Sequence, residues 1–256
     1  MKPHGVPIAT SAETAAVRQF CYRADKIMMS EGPEPYSMLD WATVESAKVG
    51  NNEFVLARHG ENWVVRVDQR ILMSNRINQS EIALAEETLD RVPDARSILV
   101  GGLGLGYTLR AALDIAHEEA HVTVVELVGE LVDWNRRLIG HLNDAPLDDP
   151  RCEVVVGDAF ELIHKARAQY DVIMLDVDNG PQALSQVKNQ RLYGDVGVRA
   201  CWNALMPGGV LGVWGNGPNA KYAARMERFG FHVEVLGVQA SFGSRAVHTL
   251  FLGTRS

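Results

Sequence analysis

"ILVGGLGLGYTLRAAL", Ile98 to Leu113, joins a short apolar run to a helix-spaced one through four glycines, Gly101, Gly102, Gly104 and Gly106. Glycine takes turns that a Cβ forbids, so such a junction brings the amides of a helix N-terminus close to a ligand. By itself it names no ligand. A nucleotide phosphate, an adenosine sulfonium and a purely structural turn are all open.

Working outward, the same strand–loop–helix unit repeats. "SILVG", "HVTVVEL", "CEVVV" and "YDVIML" are short β-branched runs. Leu109, Ala112, Leu113 and Ala116 mark one intervening helix, and Leu131, Trp134, Leu138 and Leu142 mark another. Upstream, "NQSEIALAEETLDRV" places Ile82, Ala85, Leu89 and Val92 on one helical face, and Asn78 with Glu81 has the spacing of a capping box. Short apolar strands alternating with amphipathic helices give an α/β fold: an open, largely parallel sheet covered on both faces.

The tail departs from the repeat. "GGVLGVWG" reads as a strand and "GPNAKYAARMERFG" as a helix with Pro218 near its first turn. "FHVEVLGV" and "AVHTLFLGT" follow, joined by "QASFGSR", a link too short for a parallel crossover, so the two form an antiparallel pair. The result is a Rossmann-like, mostly parallel seven-stranded sheet with an antiparallel last strand. That arrangement is found in adenosyl-sulfonium enzymes and is not expected of a complete dinucleotide-binding fold.

Before the body, "EFVLARHGENWVVRVDQRILMS" carries two β-rich runs around His59–Asn62, with Gly60 supplying a hairpin turn. Three parts follow: a leader or lid helix at 1–37, broken by "SEGPEPYS"; a small antiparallel β domain at 38–76; and a ligand-binding α/β domain at 77–256.

The chain has 256 residues, enough to bury roughly 70–75% of its extended surface in a core that needs no staple. Its net charge of −7, without a basic block, argues against nucleic acid or an anionic membrane as partner. Three widely separated cysteines, Cys21, Cys152 and Cys201, suit a reducing compartment. With no apolar leader, the expectation is a cytoplasmic protein. No histidine set has zinc-like spacing, and no metal is expected.

Three acids stand at strand ends, where this architecture places ligands. Glu126 closes the strand after the glycine turn, placed to accept both ribose hydroxyls of NAD or S-adenosylmethionine equally well. In "VVVGDAFEL", Asp158 can receive an adenine amino group while Ala159 leaves room for the ring; Asp158 is also an ordinary helix N-cap. In "YDVIMLDVDNGPQAL", Asp176 ends a buried strand and Asp178 follows in a turn with Asn179. Two carboxylates beside a sulfonium can hold an amine nucleophile and take its proton.

In order, "LMSNRINQSE", "GGLGLGYTLRAAL", "VTVVELVGELVDWN", "GDAFEL", "YDVIMLDVDNGP", "LYGDVG" and "LMPGGVLGVWG" resemble the spermidine synthase-like branch of the adenosylmethionine-dependent transferases, over about Leu39 to Thr254. The resemblance implies the class I methyltransferase fold. It makes Asp176 the acid assisting deprotonation of the attacking amine, Glu126 the ribose acid, and Asp158 with Ala159 the adenine side. It also implies a homodimer. The departures fall on ammonium holders: Gly104 stands where the family has an acid, Asn216 replaces a glutamate, Gln79 replaces a tyrosine, and the loop at "DVDNGP" is shortened.

The charge deficit favours S-adenosylmethionine that keeps its carboxylate over the decarboxylated donor. The preferred reading is alkyl transfer from the donor's amino acid arm to a small-molecule amine, or to the donor's own amine, releasing methylthioadenosine. Methyl transfer releasing S-adenosylhomocysteine is the alternative, and a catalytically dead binding protein is the second. Gln79, Glu81, Asn179, Tyr193, Trp214 and Asn216 are candidates for the second-substrate pocket. Glu81 is also explained by the capping box, and His248 by burial with a hydrogen bond.

Overall fold

A computed structural model describes residues 41–50, 52–68, 70–177 and 191–256. The leader at 1–37, Asp178 and Asn179 lie outside the described residues. Residues Trp41–Ser256 form one compact unit.

Four strands open it: β1 (Ala42–Val49), β2 (Asn52–His59), β3 (Asn62–Val67) and β4 (Arg70–Ser74), antiparallel and in that order. The expected hairpin is β2–β3, closed at the pair His59–Asn62 with Gly60 at φ +58°. Phe54, Leu56, Trp63 and Val65 face Leu105, Val128, Leu131, Trp134 and Ile139 in one buried cluster. Apolar alternation along β2 and β3 therefore seats the small sheet on the glycine turn and the helix after Glu126.

The main sheet has seven strands. They are β5 (Ser97–Gly101), β6 (His121–Glu126), β7 (Cys152–Val156), β8 (Tyr170–Leu175), β9 (Leu205–Gly215), β10 (Phe231–Gln239) and β11 (Val247–Arg255), in the spatial order β10-β11-β9-β8-β5-β6-β7. Strands β5 to β9 are mutually parallel, and β11 runs antiparallel to both its neighbours. Side chains alternate between two cores. Ile98, Val100, Val172 and Met174 meet Leu84, Ala85 and Leu89 of α1 (Gln79–Asp90) and Leu109, Ala112 and Leu113 of α2 (Tyr107–Ile115). Leu99, Ile173 and Leu211 meet the helices of the opposite face.

Two local expectations are corrected. The helix read across Leu131–Leu142 is an α-helix only over α3 (Gly129–Trp134); a π-turn follows at Asn135–Ile139 and a 3₁₀ turn at Gly140–Asn143. The wider turn inserts a residue into the repeat, so Ile139 rather than Leu138 follows Trp134 into the core. The capping box does not form either: Asn78 makes no side-chain cap to α1. Its Oδ1 instead accepts from Gln79 Nε2 at 3.4 Å, and Glu81 turns inward.

Further helices among the described residues are α4 (Ala159–Lys165), α5 (Asp195–Ala204) and α6 (Ala220–Arg228). Asp158 caps α4 by accepting from Phe160 N at 2.9 Å. Asn219 caps α6, accepting from Tyr222 N at 3.0 Å, with Pro218 just before it.

Candidate active site

Because β5 to β9 are parallel, their carboxyl ends share one edge, and the strand-end residues Gly101, Glu126, Asp158, Asp176 and Asn216 follow from it. The glycine turn is shaped by what crowds it. Gly102 has φ +92°, and a Cβ there would lie 2.2 Å from the Asp176 carbonyl oxygen. The Asp176 amide donates to Gly101 O at 2.8 Å, which ties the two strand ends together. Gly104, at φ +54°, has only Met73 within reach among the described residues, its sulfur at 3.5 Å. Gly106, also left-handed, leads into α2.

Glu126 is buried and braces this turn. Its Oε2 accepts from the amides of Leu103 at 2.9 Å and Gly104 at 3.4 Å, and its Oε1 from Val128 N at 2.9 Å. Asn135, at the start of the π-turn, completes the brace by donating to Gly104 O at 2.9 Å and Leu131 O at 2.8 Å. Sequence reasoning missed Asn135, because a π-turn leaves no periodic signal of its own.

Asp176 is half-buried at the end of β8. Its Oδ2 accepts from the Thr108 hydroxyl at 2.7 Å, and that same hydroxyl lies 3.4 Å from the Glu81 carbonyl. Glu81 itself is the site's outlier. Burial and then the neighbouring Asp176 charge push its carboxyl up to about 9, so it holds a proton at neutral pH. Its Oε2 is buried without a hydrogen-bond partner. The structure thus brings Asp176, Thr108 and Glu81 together from three elements.

Beside Glu81, Ser80 is fully buried. Its Oγ accepts from Trp214 Nε1 at 3.0 Å and pairs with His248 Nδ1 at 2.8 Å. A neutral ring suits this pairing, since its Nδ1 can accept the hydroxyl proton while Trp214 donates to the oxygen. Burial lowers the His248 pKa in agreement, and the Trp214 and His248 rings meet edge to face at 4.7 Å. A Ser80→Ala change strands two polar groups and is expected to cost about 1–3 kcal/mol, read as a lower urea midpoint. The linkage sign is clear as well. Unfolded histidine takes a proton near 6.5 while folded His248 resists it, so its contribution to stability is lost as pH falls below that value.

Other candidates lie apart. Tyr193 is fully buried, its hydroxyl donating to Val177 O at 2.9 Å and its ring packed against Tyr222. Gln79 and Asn216 are exposed. Besides capping α4, Asp158 faces Arg191 at 4.0 Å, with Ala159 next to it packing 3.5 Å from the Cβ position of Gly101. Among the described residues no group of three or more His, Cys, Asp or Glu is placed to hold a metal ion, and no helix is long and apolar enough to cross a membrane.

A sheet of this order, with one antiparallel strand beside the fifth parallel one and acids at the carboxyl edge, defines a Rossmann-like class I methyltransferase fold. Solved structures agree. A spermidine synthase in complex with the transition state analogue AdoDATO superposes at TM-score 0.73 and 18% identity, covering 84% of this chain and 74% of that one. Spermidine synthase from Thermotoga maritima gives 0.70 at the same identity, covering 84% and 72%. The sequence model of the spermine/spermidine synthase domain matches residues 81–224, and the chain belongs to that family. Among curated relatives, polyamine aminopropyltransferase 2 of Pseudomonas aeruginosa is 28% identical over 201 residues, 77% of this chain and 51% of the relative. The polyamine aminopropyltransferase of Nitrosomonas europaea is 35% identical over 120 residues, 46% of this chain and 34% of the relative. The chain thus spans about half the length of the first relative and about a third of the second.

Proposed function

We propose that this protein transfers an alkyl group from the amino acid arm of an S-adenosyl sulfonium to an amine, releasing methylthioadenosine. The observation that carries the reading is Asp176: a strand-end carboxylate oriented by Thr108, against the glycine turn, in a family whose relatives are named for aminopropyl transfer. The positive sulfonium already activates the carbon under attack. The protein's work is to place the amine and accept its proton, which general bases accelerate by about 10²–10⁴. In that role Asp176 takes a proton from the ammonium, the freed lone pair attacks the methylene carbon, and the C–S electron pair leaves on sulfur as a neutral thioether.

The finer reading is that the donor keeps its carboxylate, because Gly104 supplies no charge for a terminal ammonium. The test incubates the full chain with S-adenosylmethionine or its decarboxylated form, with and without amines, and follows nucleoside products by mass spectrometry. Methylthioadenosine above a no-enzyme control supports the reading; S-adenosylhomocysteine replaces it with methyl transfer. A Gly104→Asp variant probes the donor directly. The nearest atom to a Cβ there is 3.5 Å away, and aspartate tolerates left-handed backbone. It is expected to move the kcat/KM ratio toward the decarboxylated donor by about tenfold, the effect of one exposed-to-half-buried ion pair.

A further inference from the structure

Buried polar groups nearly always find partners, so an orphan at a ligand-binding edge calls for an explanation. Glu81 Oε2 is such an orphan. It sits in the first turn of α1, at the strand edge that carries Asp176, with Thr108 touching both residues. Its place is not adjustable: the neighbouring Ser80 is pinned by Trp214 and His248, so the turn cannot swing out to solvent. As a carboxylate, that oxygen would lie buried and unpaired beside a second negative charge, which costs far more than keeping the proton. A neutral acid with a vacant acceptor oxygen is therefore the stable empty state.

We propose that the missing partner is the ammonium group of the acceptor amine, and that Glu81 and Asp176 form a site holding one cation, a proton when empty and an alkylammonium when loaded. This rests on the proposed amine transfer and assigns Glu81 a binding role within it. Docking is an exchange: Glu81–COOH plus R–NH3+ gives Glu81–COO− paired with R–NH3+, and one proton leaves to solvent. Asp176 then removes a proton from the ammonium for attack, as above. The same carboxyl group thus tolerates an empty pocket and recognises a charged amine, and an uncharged nucleophile gains nothing from it.

The charged and titratable groups around Glu81 fit this exchange. Asp176 faces it from the end of β8 and raises its proton affinity; Tyr107, from α2, feels its charge; His248, from β11, is bonded to adjacent Ser80 and neutral. While Glu81 stays protonated in the empty protein, below about 9, amine affinity should rise about tenfold per pH unit.

The experiment is calorimetric titration of the full chain, preloaded with S-adenosylmethionine, using propylamine and putrescine in two buffers of different ionisation enthalpy. Wild type is expected to release a proton per amine bound, with affinity climbing from pH 6.5 to 8.5. Glu81→Gln, a neutral isostere that preserves the fold, should bind amine at least tenfold more weakly at pH 8.5, with no release and a flat pH dependence. Asp176→Asn should lower the Glu81 pKa and shrink the release at pH 7. Binding without proton release, release that persists in Glu81→Gln, or no binding of either amine overturns the proposal. Proton-coupled binding without methylthioadenosine overturns the proposed reaction and leaves the site standing; methylthioadenosine without proton release does the reverse.

Discussion

Asp176→Asn is expected to lower turnover by about 10²–10⁴-fold, the usual contribution of a general base, while leaving the fold and donor affinity within a few-fold of wild type. The amide oxygen still accepts from the Thr108 hydroxyl, so the side chain stays where the 2.7 Å bond holds it. What it loses is the ability to take a proton. The glycine turn, proposed to take the donor, is braced separately by Glu126 and Asn135. Methylthioadenosine release under saturating donor reads the effect, and dye-free donor binding by calorimetry supplies the control. A variant keeping more than half the wild-type rate would remove Asp176 from the chemistry. The change has a second consequence: removing the Asp176 charge relieves Glu81, whose pKa should fall from about 9.

Gly102→Ala is expected to be the most damaging single-methyl change in the turn. Its φ of +92° alone costs alanine about 1–3 kcal/mol. The added carbon would also lie 2.2 Å from a backbone oxygen of Asp176, which cannot rotate away as a side chain could. The strand ends must part, for a total of about 3–5 kcal/mol. Gly104→Ala supplies the comparison. Its φ is +54° and its near neighbour among the described residues is the flexible Met73 at 3.5 Å, so about 1–2 kcal/mol is expected. Urea unfolding of both variants tests the difference; equal costs would mean that the turn does not press on Asp176.

Glu81 provides a stability test needing no substrate. The unfolded carboxyl ionises near 4.5 and the folded one near 9, so between those values the folded chain binds more protons. Stability supplied by this group is then lost as pH rises through the window. Glu81→Gln is expected to flatten that slope and to exceed wild type in stability at pH 8.5, as read by urea midpoints across pH. A wild-type profile without the slope would contradict the buried acid.

Much of the fold was legible because the signals are local. The short β-branched runs "SILVG" and "YDVIML" each read as a strand, and both are strands of the main sheet. The hairpin turn at Gly60 and the N-cap at Asp158 depend on residues a few positions apart, and both formed where their chemistry predicts. Asn78 with Glu81 misled for the same reason. Spacing alone makes a capping box, but Asn78 makes no cap bond and the core edge draws Glu81 inward. The π-turn at Asn135–Ile139 misled the helical repeat because it preserves apolar composition while shifting phase.

The sequence by itself determined the alternating strands and helices, the glycine turn and the acids at strand ends, since periodicity and turn chemistry act over a few residues. Only the tertiary structure decided that Glu81 meets Asp176, that Ser80 joins Trp214 to His248, and that Asn135 reaches Gly104. Those pairings join residues far apart in the chain. Their protonation states depend on burial and on a neighbour's charge, which exist only once the sheet has brought the strand ends to one edge.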